Sequence, residues 1–312
     1  MTIETDRLEQ TAADARPVRP RNEVGKAPQR RRRSAEQRTP LSSIIRHAVM
    51  IAAGLVMIYP LLWMIASSLR PNDEIFAQPG ILLQDFETKN YTDGWNALTH
   101  PFGQYLLNSA ILVLGSIVGN LVSCAVTAYA FARINFRFKK PLFAIMLITI
   151  MIPVHVVIVP QYIIFSQLGW VNTFIPLLLP KFLATDAFFI FLMVQFIRGI
   201  PRDLDEAARI DGLGHVGIFF RIILPLMVPA LAATAVFTFI NSWNDFFGAL
   251  IYLTSPEMFT VPVALRSFLD STGSSNYGGM FAMSIVSLLP VFLAFLFGQK
   301  YLVKGIATTG LK

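Results

Sequence analysis

The sequence predicts an all-α membrane protein of about six transmembrane helices with both termini on the cytoplasmic side. Three observations predict it. Of the 312 residues 54% are hydrophobic and 14% charged, with a mean hydropathy of +0.56, whereas soluble domains carry about a quarter charged residues. Six apolar runs reach spanning length, and the segments between them alternate between basic and acidic or uncharged.

A helix needs roughly 20 apolar residues to cross about 30 Å of hydrocarbon. The runs are Ile44–Leu69, Tyr105–Phe131, Leu142–Phe165, Thr173–Ile197, Ile222–Leu253 and Met280–Val303. The fifth exceeds a simple crossing and is expected to tilt or extend beyond the bilayer. Lys and Arg in short loops stay cytoplasmic. Arg133, Arg137, Lys139 and Lys140 follow the second run, Arg198, Arg202, Arg209 and Arg221 follow the fourth, and Lys300, Lys304 and Lys312 end the chain. The alternate segments differ: residues 70–103 carry Asp73, Glu74, Asp85, Glu87 and Asp93 against Arg70 and Lys89, residues 166–172 carry no charge, and residues 254–279 have Arg266 as their single base.

Eleven of the 26 Lys and Arg precede residue 47, so the pI of about 9.7 reports a basic tail beside an anionic membrane surface rather than a nucleic-acid partner. That tail exceeds 40 residues and the apolar run after it is of full spanning length, which is not the pattern of a secretory signal peptide. The expected organisation is a disordered basic cytoplasmic tail (1–43), a first transmembrane helix with an external loop (44–104), a core (105–304) containing the cytoplasmic loop 201–221, and a C-terminal cytoplasmic tail (305–312).

Several chemistries lack support. There is no G-x-x-x-x-G-K-[ST], G-x-S-x-G or H-E-x-x-H pattern, so no phosphate loop, nucleophile elbow or zinc helix is legible. His47, His100, His155 and His215 stand apart from one another, and Cys124 is the single cysteine, so no metal site or disulfide framework is expected.

The loop 201–221 carries the strongest local signal. Asp203 reads as an N-cap for a short helix with Asp205 and Glu206 in its first turn. Leu204, Ala207, Ala208 and Asp211 fall at i, i+3, i+4 and i+7, a narrow face with small residues in its middle. Gly212 supplies a helix stop, Leu213 to Phe220 a second amphipathic piece, and Pro225 a first-turn proline. On these features alone the loop is either a solvated helix or a docking element.

The residue order decides between them. Glu206-Ala207-Ala208, Asp211-Gly212 and Leu224-Pro225 resemble the EAA loop of permease subunits in binding-protein-dependent ABC importers, and further resemblance runs from about Tyr105 to Lys304. Tyr129-Ala130-Phe131-Ala132-Arg133, Met151-Ile152-Pro153, Pro160-Gln161-Tyr162, Leu168-Gly169-Trp170-Val171-Asn172-Thr173, Trp243-Asn244-Asp245-Phe246-Phe247, Thr254, Pro256-Glu257 and Thr260-Val261-Pro262 look like the carbohydrate-uptake branch. Within it they are similar to the second permease of maltose-type and glycerol-phosphate-type systems. His155 stands where Gln is commoner in that branch, and reads as a helix-packing residue or a departure at a contact. The basic tail is longer than the family core requires.

The resemblance implies a type I ABC importer permease fold in a bacterial cytoplasmic membrane. Glu206, Ala207, Ala208, Asp211, Gly212, Leu224 and Pro225 would couple to the ATPase. The implied partners are a second, different permease, an ABC ATPase dimer, an extracytoplasmic solute-binding protein and membrane lipid. ATP and Mg would sit on the ATPase subunits, leaving this chain with no cofactor and no enzymatic site of its own. Lys304 to Gly310 resembles tails that reach the ATPase dimer interface, and equally a frayed end. An importer for another solute such as polyamines, phosphate or peptides, and an ion-coupled secondary transporter, are the competing readings.

Polar groups at membrane depth usually face a partner or a wet cavity. Asn241, Asn244, Asp245 and Gly248 would form one stripe if the fifth helix ran unbroken, about 28 Å from Ile222 to Asn241. Trp243 reads as a sugar-stacking ring or an interfacial anchor. Lys181 and Asp186 follow Pro176 and Pro180, so the fourth helix is expected to break there, with the two charges lining a cavity or neutralising each other. Gln161 completes the candidate pathway set. Gly115, Gly119, Ser123 and Thr127 form a small-residue ridge for packing within the chain or against another subunit.

Overall fold

The computed structural model describes residues 40–77, 80–269 and 275–309; the tail expected over 1–43 lies mostly outside them. Among the described residues every regular element is helical: α1 Pro40–Ser68, α2 Lys89–Asn96, α3 Phe102–Arg133, α4 Lys139–Thr149, α5 Val154–Gln167, α6 Ile175–Phe182, α7 Ala187–Gly199, α8 Asp203–Ile210, α9 His215–Ile218, α10 Leu224–Leu226, α11 Val228–Trp243, α12 Phe247–Tyr252, α13 Val261–Arg266 and α14 Tyr277–Thr309. A π-helical turn, Phe219–Ile223, joins α9 to α10. α14 extends through most of the segment expected to be a C-terminal tail, and residues 310–312 lie outside the description.

The chain divides into two compact units, 1–57 and 58–312. In the first, Val49, Met50, Leu55 and Val56 are exposed apolar side chains, as a lipid-facing helix requires. In the second, α3 is the centre, with α6, α7 and α11 packed around it and α14 against α11. Of the apolar window of α3, 44% is buried inside the chain, against 17% for α14. Its buried positions include Tyr105, Ser109, Leu112, Ser116, Asn120, Cys124 and Ala128, a set that recurs every three or four residues. Lipid is as apolar as this core, so close packing and buried polar bonds, rather than apolar burial, hold the helices together.

The small-residue ridge supplies that closeness within the chain. A Cβ on Gly115 would lie 2.8 Å from the Leu178 side chain, and one on Gly119 2.9 Å from Phe182 and 3.1 Å from the Lys181 backbone. Ser123 donates its hydroxyl to the Lys181 carbonyl at 2.7 Å. These three positions pack against α6.

Among the described residues four helices are long and apolar enough to cross a membrane, and up to six spans result if each of two bent pairs counts as one. These pairs correct two spans expected to be continuous. The third bends by 100° between α4 and α5, where Pro153 forces the preceding residue out of helix. The fifth bends by 73° at Met227, between Pro225 and Pro229: Pro229 has no N–H to donate to the carbonyl four residues back. The helix-length estimate for Asn241 therefore fails. The fourth breaks as expected, between Phe182 and Ala187, with Ala184 at φ 56°.

On the face opposite the 201–221 loop, Asn72 accepts the N–H groups of Tyr277 and Gly278 and donates to Ser275. Asn172, at φ 62°, accepts from the N–H groups of Thr254 and Ser255 and donates to the Ser255 hydroxyl. Asn108 donates to the carbonyls of Glu257 and Phe259. These amide side chains clip loops distant in sequence onto the helix bundle.

Candidate functional site

The loop 201–221 folds as a short helix with a defined stop. α8 carries Asp203, Asp205 and Glu206 in its first turn, where acids favour the positive end of the helix dipole. The cap expected at Asp203 is displaced: Asp203 is the first helical residue, the capping position is Arg202, and no side chain caps it. At the other end the Gly212 N–H donates to the Arg209 carbonyl at 3.0 Å and the Leu213 N–H to the Ala208 carbonyl at 2.9 Å. This paired pattern closes a helix through a left-handed residue, here Gly212 at φ 83°.

The burial of α8 splits the expected face in two. Asp205 and Ala208 point inward, each 4% exposed. Leu204, Glu206, Ala207, Ile210, Asp211 and Gly212 are exposed, Ile210 to 87%. The outward surface is thus Leu204, Ala207, Ile210 and Asp211 with Glu206 beside them, and Ala208 belongs to the core. Leu224 is half-buried and Pro225 exposed, both at the start of α10 as the sequence suggested.

The C-terminal end of α3 holds the loop at both ends. Arg133 pairs with Asp205 at 3.1 Å, with 3% and 6% of the two side chains exposed, and donates through Nη2 to the Ile200 carbonyl at 2.7 Å. One turn earlier the Tyr129 hydroxyl donates to the His215 carbonyl at 3.1 Å, and its ring lies 5.1 Å from that of Phe219. Arg133 thereby grips the entry to α8 and Tyr129 the exit. Sequence reading had these residues within a family motif but missed their partners, because the contacts join positions far apart in the chain.

A second polar group sits at membrane depth. Lys181 pairs with Asp186 at 2.9 Å, both side chains a little over a quarter exposed. Asn120, fully buried, donates to Asp186 Oδ2 at 2.6 Å and to the Thr238 hydroxyl at 3.1 Å. The cluster thus ties α3, the α6–α7 break and α11. Lys181, expected as a pathway candidate, has its charge met by Asp186. An Asn in the middle of an apolar run was the available signal for Asn120.

The stripe expected at residues 241–248 does not form, because α11 ends at Trp243 and α12 begins at Phe247. Asn241, Asn244 and Asp245 are exposed. Asn244 donates to the Ile240 carbonyl at 2.8 Å, and Asp245 accepts the Gly248 N–H at 2.9 Å, so these two side chains terminate one helix and start the next. Trp243 is 5% exposed and stacks on Phe239 at 5.6 Å and 7°. Packing, rather than sugar stacking or interfacial anchoring, accounts for it within this chain. Gln161 is half-buried on α5, and the His155 ring packs 4.9 Å from that of Phe247.

The sequence matches the family described as binding-protein-dependent transport system inner membrane component over residues 111–308. It is 34% identical to the arabinooligosaccharides transport system permease protein AraQ of Halalkalibacterium halodurans, over 82% of this chain and 92% of that protein. It is 32% identical to the trehalose/maltose transport system permease protein MalG of Thermococcus litoralis, over 84% and 94%. The fold is similar to a chain in the crystal structure of a bacterial ABC transporter involved in the import of the acidic polysaccharide alginate, with a TM-score of 0.73 at 22% identity, covering 84% of this chain and 96% of that one. A multi-pass helical fold, a loop built on the end of α3 and these likenesses converge: the chain belongs to the binding-protein-dependent transport system inner membrane component family of ABC importer permeases.

Proposed function

We propose that this permease forms half of the translocation pathway of an ATP-driven importer for a sugar or sugar derivative, and that α8 is its coupling helix. The observation that carries the proposal is the exposed Leu204, Ala207, Ile210 and Asp211 surface mounted on a buried ion pair at the end of the central helix. Such a mount transmits force: displacing α8 pulls on Arg133, and through it on α3, around which the second unit is packed. In the proposed complex α8 seats in a cleft of one ATPase subunit. Closure of the ATPase dimer on ATP and Mg then moves α8 and switches the cavity between inward-facing and outward-facing states.

The sugar assignment is supported by the relatives named above, and by the local resemblance of residues 105–304 to the carbohydrate-uptake branch. The basic loops at 132–141 and 198–221 support an orientation with α8 and both termini in the cytoplasm. An extracytoplasmic solute-binding protein would deliver cargo to the opposite face, with a second permease completing the pathway. Exposed Asn241, Asn244 and Asp245, with Gln161, are the pathway candidates in this chain, and sugar hydroxyls are met well by amide and carboxylate groups. The chain would supply no ATPase chemistry of its own.

Uptake and substrate-stimulated ATP hydrolysis by the reconstituted complex test the coupling reading. Glu206→Ala combined with Gly212→Ala is expected to uncouple the two, and normal rates of both would remove α8 from the coupling role. Mass spectrometry of ligand on the co-purified binding protein tests the cargo, and a polyamine, peptide or inorganic phosphate there would overturn the sugar assignment.

A further inference from the structure

A cavity of about 370 Å³ opens beside α8, lined by Arg133, Lys139, Arg198 and Arg202 together with Ala132, Gly199, Ile200 and Pro201. It lies where the ends of α3 and α7 meet the start of α4. Residues 132–142 and 198–202 contain no Asp or Glu. Arg133 is committed to Asp205. Among the described residues no salt bridge neutralises Lys139, Arg198 or Arg202. Lys139 donates to the Ile134 carbonyl at 2.8 Å, and the Arg198 guanidinium lies over the Phe143 ring at 5.1 Å. Both cations are positioned by the protein, with donors left for an anion.

The surface that continues from the cavity is apolar. Along α4, which begins at Lys139, Leu142, Ile145 and Ile148 are 47%, 57% and 60% exposed at three-residue spacing, with Phe138 exposed just before them. Uncompensated cations at the head of a lipid-facing apolar strip match an anionic group carried on acyl chains. An acidic side chain of a partner protein would make no use of the strip.

From this juxtaposition we propose that the Lys139, Arg198 and Arg202 cavity binds the phosphate headgroup of an acidic phospholipid whose acyl chains lie along α4. The site adjoins Ile200, the residue whose carbonyl Arg133 holds, so an occupied headgroup would brace the entry to α8.

The test uses the complete transporter complex in phosphatidylcholine nanodiscs doped with a photoactivatable phosphatidylglycerol. Labelled peptides are expected to map to 139–143 and 198–202. Arg198→Gln combined with Arg202→Gln is expected to weaken labelling roughly 30-fold, about a factor of five for each cation removed, while Lys140→Gln, on an exposed residue outside the cavity, leaves it in place. Should the double variant fail to assemble, the peptide map from the wild-type complex decides alone. Labelling confined to other peptides, equal labelling by a phosphatidylcholine probe, or absence of label in the assembled complex would overturn the proposal. Displacement of the probe by millimolar inorganic phosphate would assign the site to the free anion instead.

Discussion

Asp205→Ala is the sharpest perturbation of the coupling mount. With 3% and 6% of the Arg133 and Asp205 side chains exposed, removing the acid leaves a buried, uncompensated guanidinium at a cost of about 3–5 kcal/mol. Local opening of α8 should rise by about 100-fold or more. Arg133→Met combined with Asp205→Ala removes both charges and restores most of that stability. A residual loss of about 1 kcal/mol remains, because the Ile200 carbonyl loses its donor. Native-state hydrogen exchange in the reconstituted complex reads this at the amides of Asp211, Gly212 and Leu213, which close the end of α8. Faster exchange in the single variant and near-normal exchange in the double variant are expected. Equal exchange in the two would refute the argument that the buried pair holds the loop.

At Gly212 a Cβ meets nothing within 4 Å, but φ is 83°, so Gly212→Ala should cost about 1–2 kcal/mol through the backbone alone, and Gly212→Asn should recover much of it; complex yield and hydrogen exchange at Leu213 measure both. Gly119→Ala would press on the Lys181 backbone and should lower thermal stability of the complex by about 1–3 kcal/mol, whereas Gly115→Ala meets a movable Leu178 side chain and should cost less. Lys181→Met unbalances a partly buried pair and should reduce complex yield, with the KM for uptake by the surviving complex unchanged; a raised KM would return Lys181 to the pathway. Asn172→Ala removes the acceptor for two N–H groups at residues 254–255 from a position at φ 62°, and should make that loop protease-sensitive while leaving α8 exchange unaltered.

The uninterrupted spans were legible because composition over about 20 residues is the signal itself: α3 and α14 lie where the apolar runs placed them. Composition does not register direction, and the apolar run through Pro153 and the one through Pro225 and Pro229 each conceal a sharp bend. Reading helix periodicity across the 244–246 break then created a polar stripe that the backbone does not support. The loop 201–221 was legible in its acids and its Gly212 stop, because capping and dipole effects are local. Its mount was not, since Arg133 with Asp205 and Tyr129 with His215 are tertiary pairs with no local spacing. Which side of α8 faces out also depends on those pairs, and Ala208 went to the core because Asp205 anchors the same face.

That facing is the point at which the account is most directly exposed to experiment. Cys124, the single cysteine, is fully buried, so a thiol introduced on α8 reacts without competition from a surface cysteine of this chain. In the assembled complex, thiol-to-amine cross-linking from Ala207→Cys and Ile210→Cys should capture the ATPase subunit, and from Ala208→Cys should not. Capture from Ala208→Cys alone would contradict that facing, and capture from none of the three would contradict the assignment of α8 as the coupling helix.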